Sequence, residues 1–207
     1  MNTQKLKEAE KAFLEIYPLG FDSPEMVEII KKHRMDKLVK FAHESFAPDA
    51  LEHVQETADN MIKLVSRSSM VSVFEKPKFR DAVLAMAREE KEFLAESLAM
   101  LLHGDEAQGF HQMLDILTKY NLAKWTLITV FSCYYYPETD LLFKPTTVKN
   151  VVKHFELEDL LYKPRPSYDF FVEYRAAIAD MKAQVNKSLS PSNAAFSGFL
   201  MMAMEMK

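Results

Sequence analysis

Apolar residues recur at three- and four-residue intervals along most of this chain, the spacing of one buried helix face. The pattern predicts a first helix over Thr3–Ile16, ended by Tyr17-Pro18-Leu19-Gly20. Ser23-Pro24 predicts the next start, with serine as N-cap and proline at the first helical position. Met26, Ile29, Ile30 and His33 share its face, and a break is expected near Arg34-Met35. Met35, Leu38, Val39, Ala42 and Phe46 then resume helical spacing. Asp49-x-x-Glu52 resembles a capping box and predicts a helix reaching Val65. A loop over Ser66–Lys76 and a long helix over Pro77–His103 follow, with Gly104 as its stop. Asp105-x-x-Gln108 opens a helix striped by Phe110, Met113, Leu114 and Leu117.

Beyond Tyr120 the pattern is less regular. Trp125–Tyr136 favours strand by propensity, whereas its freedom from breakers within a helical chain favours a buried helix. Leu141–Phe143 and Leu160–Tyr162 are short extended candidates that would pair as a two-stranded ribbon. Between them, Thr146 or Thr147 caps a helix carrying Val148, Val151, Val152 and Phe155. Lys163-Pro164-Arg165-Pro166 is expected to be extended, because residues before proline avoid the helical region. Ser167 caps a helix whose buried face carries Phe170, Phe171, Tyr174, Ile178, Met181 and Val185. That face and the last helix, started by Ser190-Pro191, are expected to pack on Trp125–Tyr136.

The fold expected is mainly α: a compact multi-helix globular domain with at most a minor two-stranded β element. It divides either into an N-terminal lobe (1–120) and a C-terminal lobe (121–207), or forms one single domain. The last helix is apolar nearly all round from Ala194 to Met204. It is either plugged into the core or a methionine-rich surface for a protein partner or homodimer.

Composition adds limits. Apolar residues make up 48% and charged residues 27%, ordinary globular values, with a net charge of -4. That balance argues against nucleic-acid binding through bulk charge but leaves room for a local basic face. One cysteine, Cys133, excludes an intrachain disulfide and suits a reducing compartment. The polar start, MNTQKLKEAEK, lacks a signal-peptide core, and no apolar run approaches the roughly 18–20 residues of a membrane span. A soluble cytoplasmic protein without membrane contact is expected.

The usual catalytic patterns are missing. His33, His43 and His53 recur every ten residues, a rotation of about 280° on a helix, so they share no face. No His-Glu-x-x-His and no cysteine pair points to a metal. Glu89, Glu92 and Glu96 read as a solvated row. Cys133 sits among aromatic residues that suggest burial, and the four glycines are too scattered for a phosphate cradle. No cofactor, metal or catalytic residue is assigned.

The stretch 121–175 holds the only Trp and Cys, with six of eight tyrosines and four of nine prolines. Its seven Lys/Arg balance seven Asp/Glu, and its cations alternate with rings. Cations that hold phosphates beside rings that stack bases are what single-stranded nucleic acid requires. The candidate ligand-binding residues are therefore Lys124, Trp125, Lys144, Lys149, Lys153, His154, Lys163, Arg165, Tyr168 and Arg175.

The order Lys124-Trp125, Phe143-Lys144-Pro145-Thr146, Tyr162-Lys-Pro-Arg-Pro-Ser-Tyr168 and a Ser190-Pro191 helix ending in Phe199-Leu200 resembles a C-terminal module of uncharacterised prokaryotic proteins. Ser-Pro-Ser-Asn stands where those proteins tend to have a more charged turn. The resemblance implies an arrangement of the C-terminal half and a nucleic-acid or defence-associated setting. It implies no chemistry. Three functions are thus expected in order: a non-catalytic binding or protein-interaction module, a nucleic-acid-binding protein using 124–175, and an enzyme or small-ligand pocket near Trp125 and Tyr134.

Overall fold

A computed structural model describes residues 1–205 of the chain. Among them are eleven α-helices, three single 3₁₀ turns and no strand. The helices are α1 (Thr3–Ile16), α2 (Pro24–His33), α3 (Met35–Ser45), α4 (Val54–Arg67), α5 (Glu75–Ala85) and α6 (Arg88–His103). They continue as α7 (Glu106–Lys119), α8 (Trp125–Tyr135), α9 (Pro145–His154), α10 (Tyr168–Ala183) and α11 (Asn193–Glu205). None of the helices is long and apolar enough to cross a membrane.

Local chemistry sets most boundaries. The Asn2 side chain accepts from the Lys5 N–H and opens α1, which buries Leu6, Ala9 and Phe13. Arg34 adopts a left-handed conformation (φ 52°) and separates α2 from α3. Asp105 caps α7 through the Gln108 N–H at 3.0 Å. Antiparallel α6 and α7 approach backbone to backbone at Gly109, where an added Cβ would lie 2.1 Å from the Leu101 nitrogen.

Helix α8 is the hub. Every residue from Trp125 to Tyr134 is buried, and the helix contacts α3, α4, α6 and α7. Trp125 stacks on Phe143 with centroids 5.0 Å apart and meets Phe170 of α10 edge-on at 5.5 Å. Phe171 and Tyr174 close on Phe143 from the same helix. Helix α10 thus touches α8 through Phe170 on Trp125, while the rest of its aromatic face meets Phe143 and its principal helix neighbour is α7. Helix α11 does not take α8 as its principal neighbour. It packs on α1 and α9, with Phe13 and Phe199 edge-on at 5.3 Å. One hydrophobic cluster runs from Leu6 to Ala203 and joins the first helix to the last.

Four expectations are corrected. The two-stranded ribbon does not form: Leu141, Leu142 and Phe143 all turn inward, and the Phe143 N–H donates to the Thr129 hydroxyl at 3.0 Å. In the other triplet the Leu160 N–H closes a turn onto the Leu157 carbonyl. The long helix over Pro77–His103 is broken at Met86-Ala87, both extended, because the Glu90 carboxylate accepts the Ala87 N–H and starts α6 afresh. Asp49 caps nothing with its side chain; Ala50–Glu52 make a 3₁₀ turn and α4 begins at Val54. Finally, Lys144 rather than Thr146 or Thr147 is the N-cap residue of α9, with Pro145 at its first position.

Candidate functional site: a cleft between the early helices and the last one

The folded chain leaves a cleft of about 740 Å³, within the size range of small-molecule sites. One wall comes from the outer faces of α2 and α3, through Ile29, Ile30, Met35 and Val39. Another comes from α11, through Ala195, Gly198, Met201 and Met202. Buried Phe21, Met26 and Leu142 form its base, and Met70 joins from the loop after α4.

The fold makes this gap for identifiable reasons. Phe196, Phe199, Leu200 and Ala203 commit one face of α11 to the core. Its remaining apolar side chains are left over, and Met201 stays 44% exposed. The helix start is fixed by the Asn193 N–H donating to the Pro137 carbonyl at 2.8 Å and by Lys182 Nζ donating to Asn193 Oδ1. Gly198 thins the wall: a Cβ there would meet nothing closer than Phe21, at 3.9 Å.

Two nitrogen groups lie together in the cleft. Lys144 is half-buried, and its ammonium has no hydrogen-bond or ion-pair partner among the described residues. Desolvation lowers its basicity. His33 is lowered first by desolvation and then by the charge of Lys144. Its Nδ1 is 2.9 Å from the Ser69 hydroxyl. The rim also carries exposed Asp36, Glu44 and Glu138, and Glu44 faces Lys40 at 3.7 Å. His43 donates from Nε2 to the Tyr135 carbonyl at 2.6 Å.

The ten candidate ligand-binding residues fall into separate places. Only Lys144 reaches the cleft. Trp125 is buried and donates from Nε1 to the Lys163 carbonyl at 2.9 Å. The Lys149 ammonium lies over the Tyr162 ring at 5.2 Å, while Lys124, Lys153, His154, Lys163 and Arg165 are exposed. Tyr168 and Arg175 both bond the Glu106 carboxylate. Tyr134 is buried with its hydroxyl 2.9 Å from Ser68 Oγ, and Tyr136 donates to the Leu102 carbonyl. The structure does not gather Trp125, Tyr134, Tyr136, His154 and Arg165 around one concavity.

Sequence reasoning missed His33, Met35, Val39, Met70 and Gly198 as wall residues. One signal was present: α2, α3 and α11 each carry more apolar surface than a single buried stripe uses. Comparison with protein-family models, with curated proteins and with solved structures gives no match.

Proposed function

We propose that this chain is a binding protein and that the cleft between α2–α3 and α11 holds its ligand, a small molecule with a large apolar part. The observation that carries the reading is a cleft of about 740 Å³ whose lining surface is mostly apolar and includes Met26, Met35, Met70, Met201 and Met202. Methionine is unbranched and polarizable, so such a wall adapts to a ligand's shape. A non-catalytic role is supported by the chain's single thiol. Burial, with the Asp140 charge behind it, pushes Cys133 up to about 12, so it is no nucleophile at neutral pH. The test is titration with Nile red, a neutral apolar dye. Wild type is expected to show saturable fluorescence enhancement, and Gly198→Leu, which fills the cleft from its wall, is expected to lose it. Equal enhancement in both proteins would overturn the assignment.

A second reading rests on a different face. Lys149 over Tyr162 brings α9 beside the Leu160–Ser167 segment, where Lys153, Lys163 and Arg165 are exposed. This arrangement supports nucleic-acid binding, with exposed Glu158 and Asp159 acting against it. Salt-dependent oligonucleotide binding that a Lys149/Lys153/Arg165 triple alanine variant loses is the expected result. No binding at low salt would remove this reading.

A further inference from the structure

We propose that the ligand of the cleft is a single-chain aliphatic carboxylic acid, with its carboxylate set against Lys144 and His33 and its chain along the methionine-lined wall. The inference rests on the cleft being a binding site, as proposed above.

An ammonium drawn partly out of water and left without a counter-charge is costly, and an incoming anion offsets that cost. The backbone holds it in place: Lys144 is the N-cap residue of α9, with Pro145 fixing the chain behind it. His33, an exposed residue of the same lining, is near enough to feel the Lys144 charge. The Ser69 hydroxyl, 2.9 Å from Nδ1, can accept or donate; in the tautomer in which Nδ1 accepts, the ring proton lies on Nε2, which then donates. One cation and one neutral donor suit the two oxygens of a carboxylate.

The rim decides the headgroup's charge. Asp36, Glu44 and Glu138 stand exposed at the mouth. Water and salt screen them, so one negative charge deeper in the cleft is tolerated. A dianion such as a phosphate monoester would meet that repulsion twice over, answered only by Lys144 and by an exposed Lys40 that already faces Glu44. The apolar part of the lining asks for hydrocarbon: Ile30, Val39, Met70, Met201 and Met202 offer no charged partner. A flexible aliphatic chain fits an open, methionine-lined channel better than a rigid polar ring.

The experiment is calorimetric titration of the full chain with dodecanoate, decanoate and dodecan-1-ol. Dodecanoate is expected to bind wild type at least about tenfold tighter than the alcohol, the effect of a hydrogen bond to a charged group. Lengthening decanoate to dodecanoate should strengthen binding by about fourfold per methylene. Lys144→Gln should bring acid and alcohol to parity, and Lys144→Arg should keep the preference for the acid. Both variants keep a long polar side chain at a position whose side chain makes no cap bond, and thermal unfolding checks that they fold. Equal binding of acid and alcohol by wild type, or an acid preference that survives Lys144→Gln, overturns the headgroup assignment and leaves the cleft as a site for neutral apolar ligands. If no aliphatic compound binds and Nile red does not either, the cleft reading fails and this inference falls with it.

Discussion

Arg175 holds Asp140 in the interior: Nη1 donates to Oδ1 at 2.7 Å, and the Asp140 side chain is only 4% exposed. The same guanidinium bonds both oxygens of Glu106, at 2.5 and 2.7 Å, and lies over the Phe171 ring. Helices α7 and α10 and the loop after α8 are tied at this point. Arg175→Ala strands Asp140 without its counter-charge and should cost about 3–5 kcal/mol. Urea unfolding measures it. A loss below 1 kcal/mol would show that the tie matters little.

The same cluster gives a pH dependence with opposite signs at its two ends. Burial alone would raise Glu106, but hydrogen bonds from Arg175 and Tyr168 outweigh it and hold the carboxyl below its usual value. Its contribution is therefore present above the ordinary carboxylate range and lost as pH falls through the folded value. Tyr168 is pushed up to about 12 by burial and then by its bond to Glu106. Its contribution is present below pH 10 and lost as pH climbs toward 12. Tyr168→Phe should lessen the alkaline loss and Glu106→Gln the acid loss. Urea midpoints across pH test both, and unchanged slopes would contradict the assignment.

Two glycines should respond in opposite directions to alanine. At Gly109 the new Cβ would strike the Leu101 backbone and push α6 from α7, so Gly109→Ala should destabilise strongly, by about 3 kcal/mol or more. At Gly198 it makes only an ordinary contact with the Phe21 ring, at 3.9 Å, so Gly198→Ala should stabilise by about 0.5–1 kcal/mol through helix propensity. Thermal unfolding of the pair gives the signs directly.

Cys133 should be silent in the folded chain. The thiol is buried and kept protonated at neutral pH. Its labelling by a thiol reagent should follow global unfolding, at a rate raised by urea. Rapid labelling in native buffer would place the side chain nearer the surface than the structure does.

Much of the fold was legible because its signals are local. The α1 span, the break at Arg34 and the Asp105 cap follow from apolar spacing and short-range hydrogen bonds. Trp125–Tyr136 could not be assigned from periodicity, since a segment apolar on every side shows none; its neighbours decide that it is a helix. The split at Met86 carries no glycine or proline and depends on the Glu90 cap. The cleft was hidden for another reason. It arises where α2 and α3 come near α11, far apart in sequence, and where each helix has apolar surface to spare. Lys144 was singled out as a cation beside aromatic residues, yet its setting depends on that long-range approach. Trp125 was singled out for its ring, and the ring serves the core.

The most direct measurement is methionine-methyl NMR of the full chain titrated with dodecanoate and, separately, with Nile red. Methyl resonances of Met35, Met70, Met201 and Met202, which line the cleft, should shift together and saturate. Those of Met61, Met113 and Met181, buried in the core away from it, should stay in place. Shifts confined to the core methionines, or no shift at excess of either dodecanoate or Nile red, would contradict the cleft as the binding site.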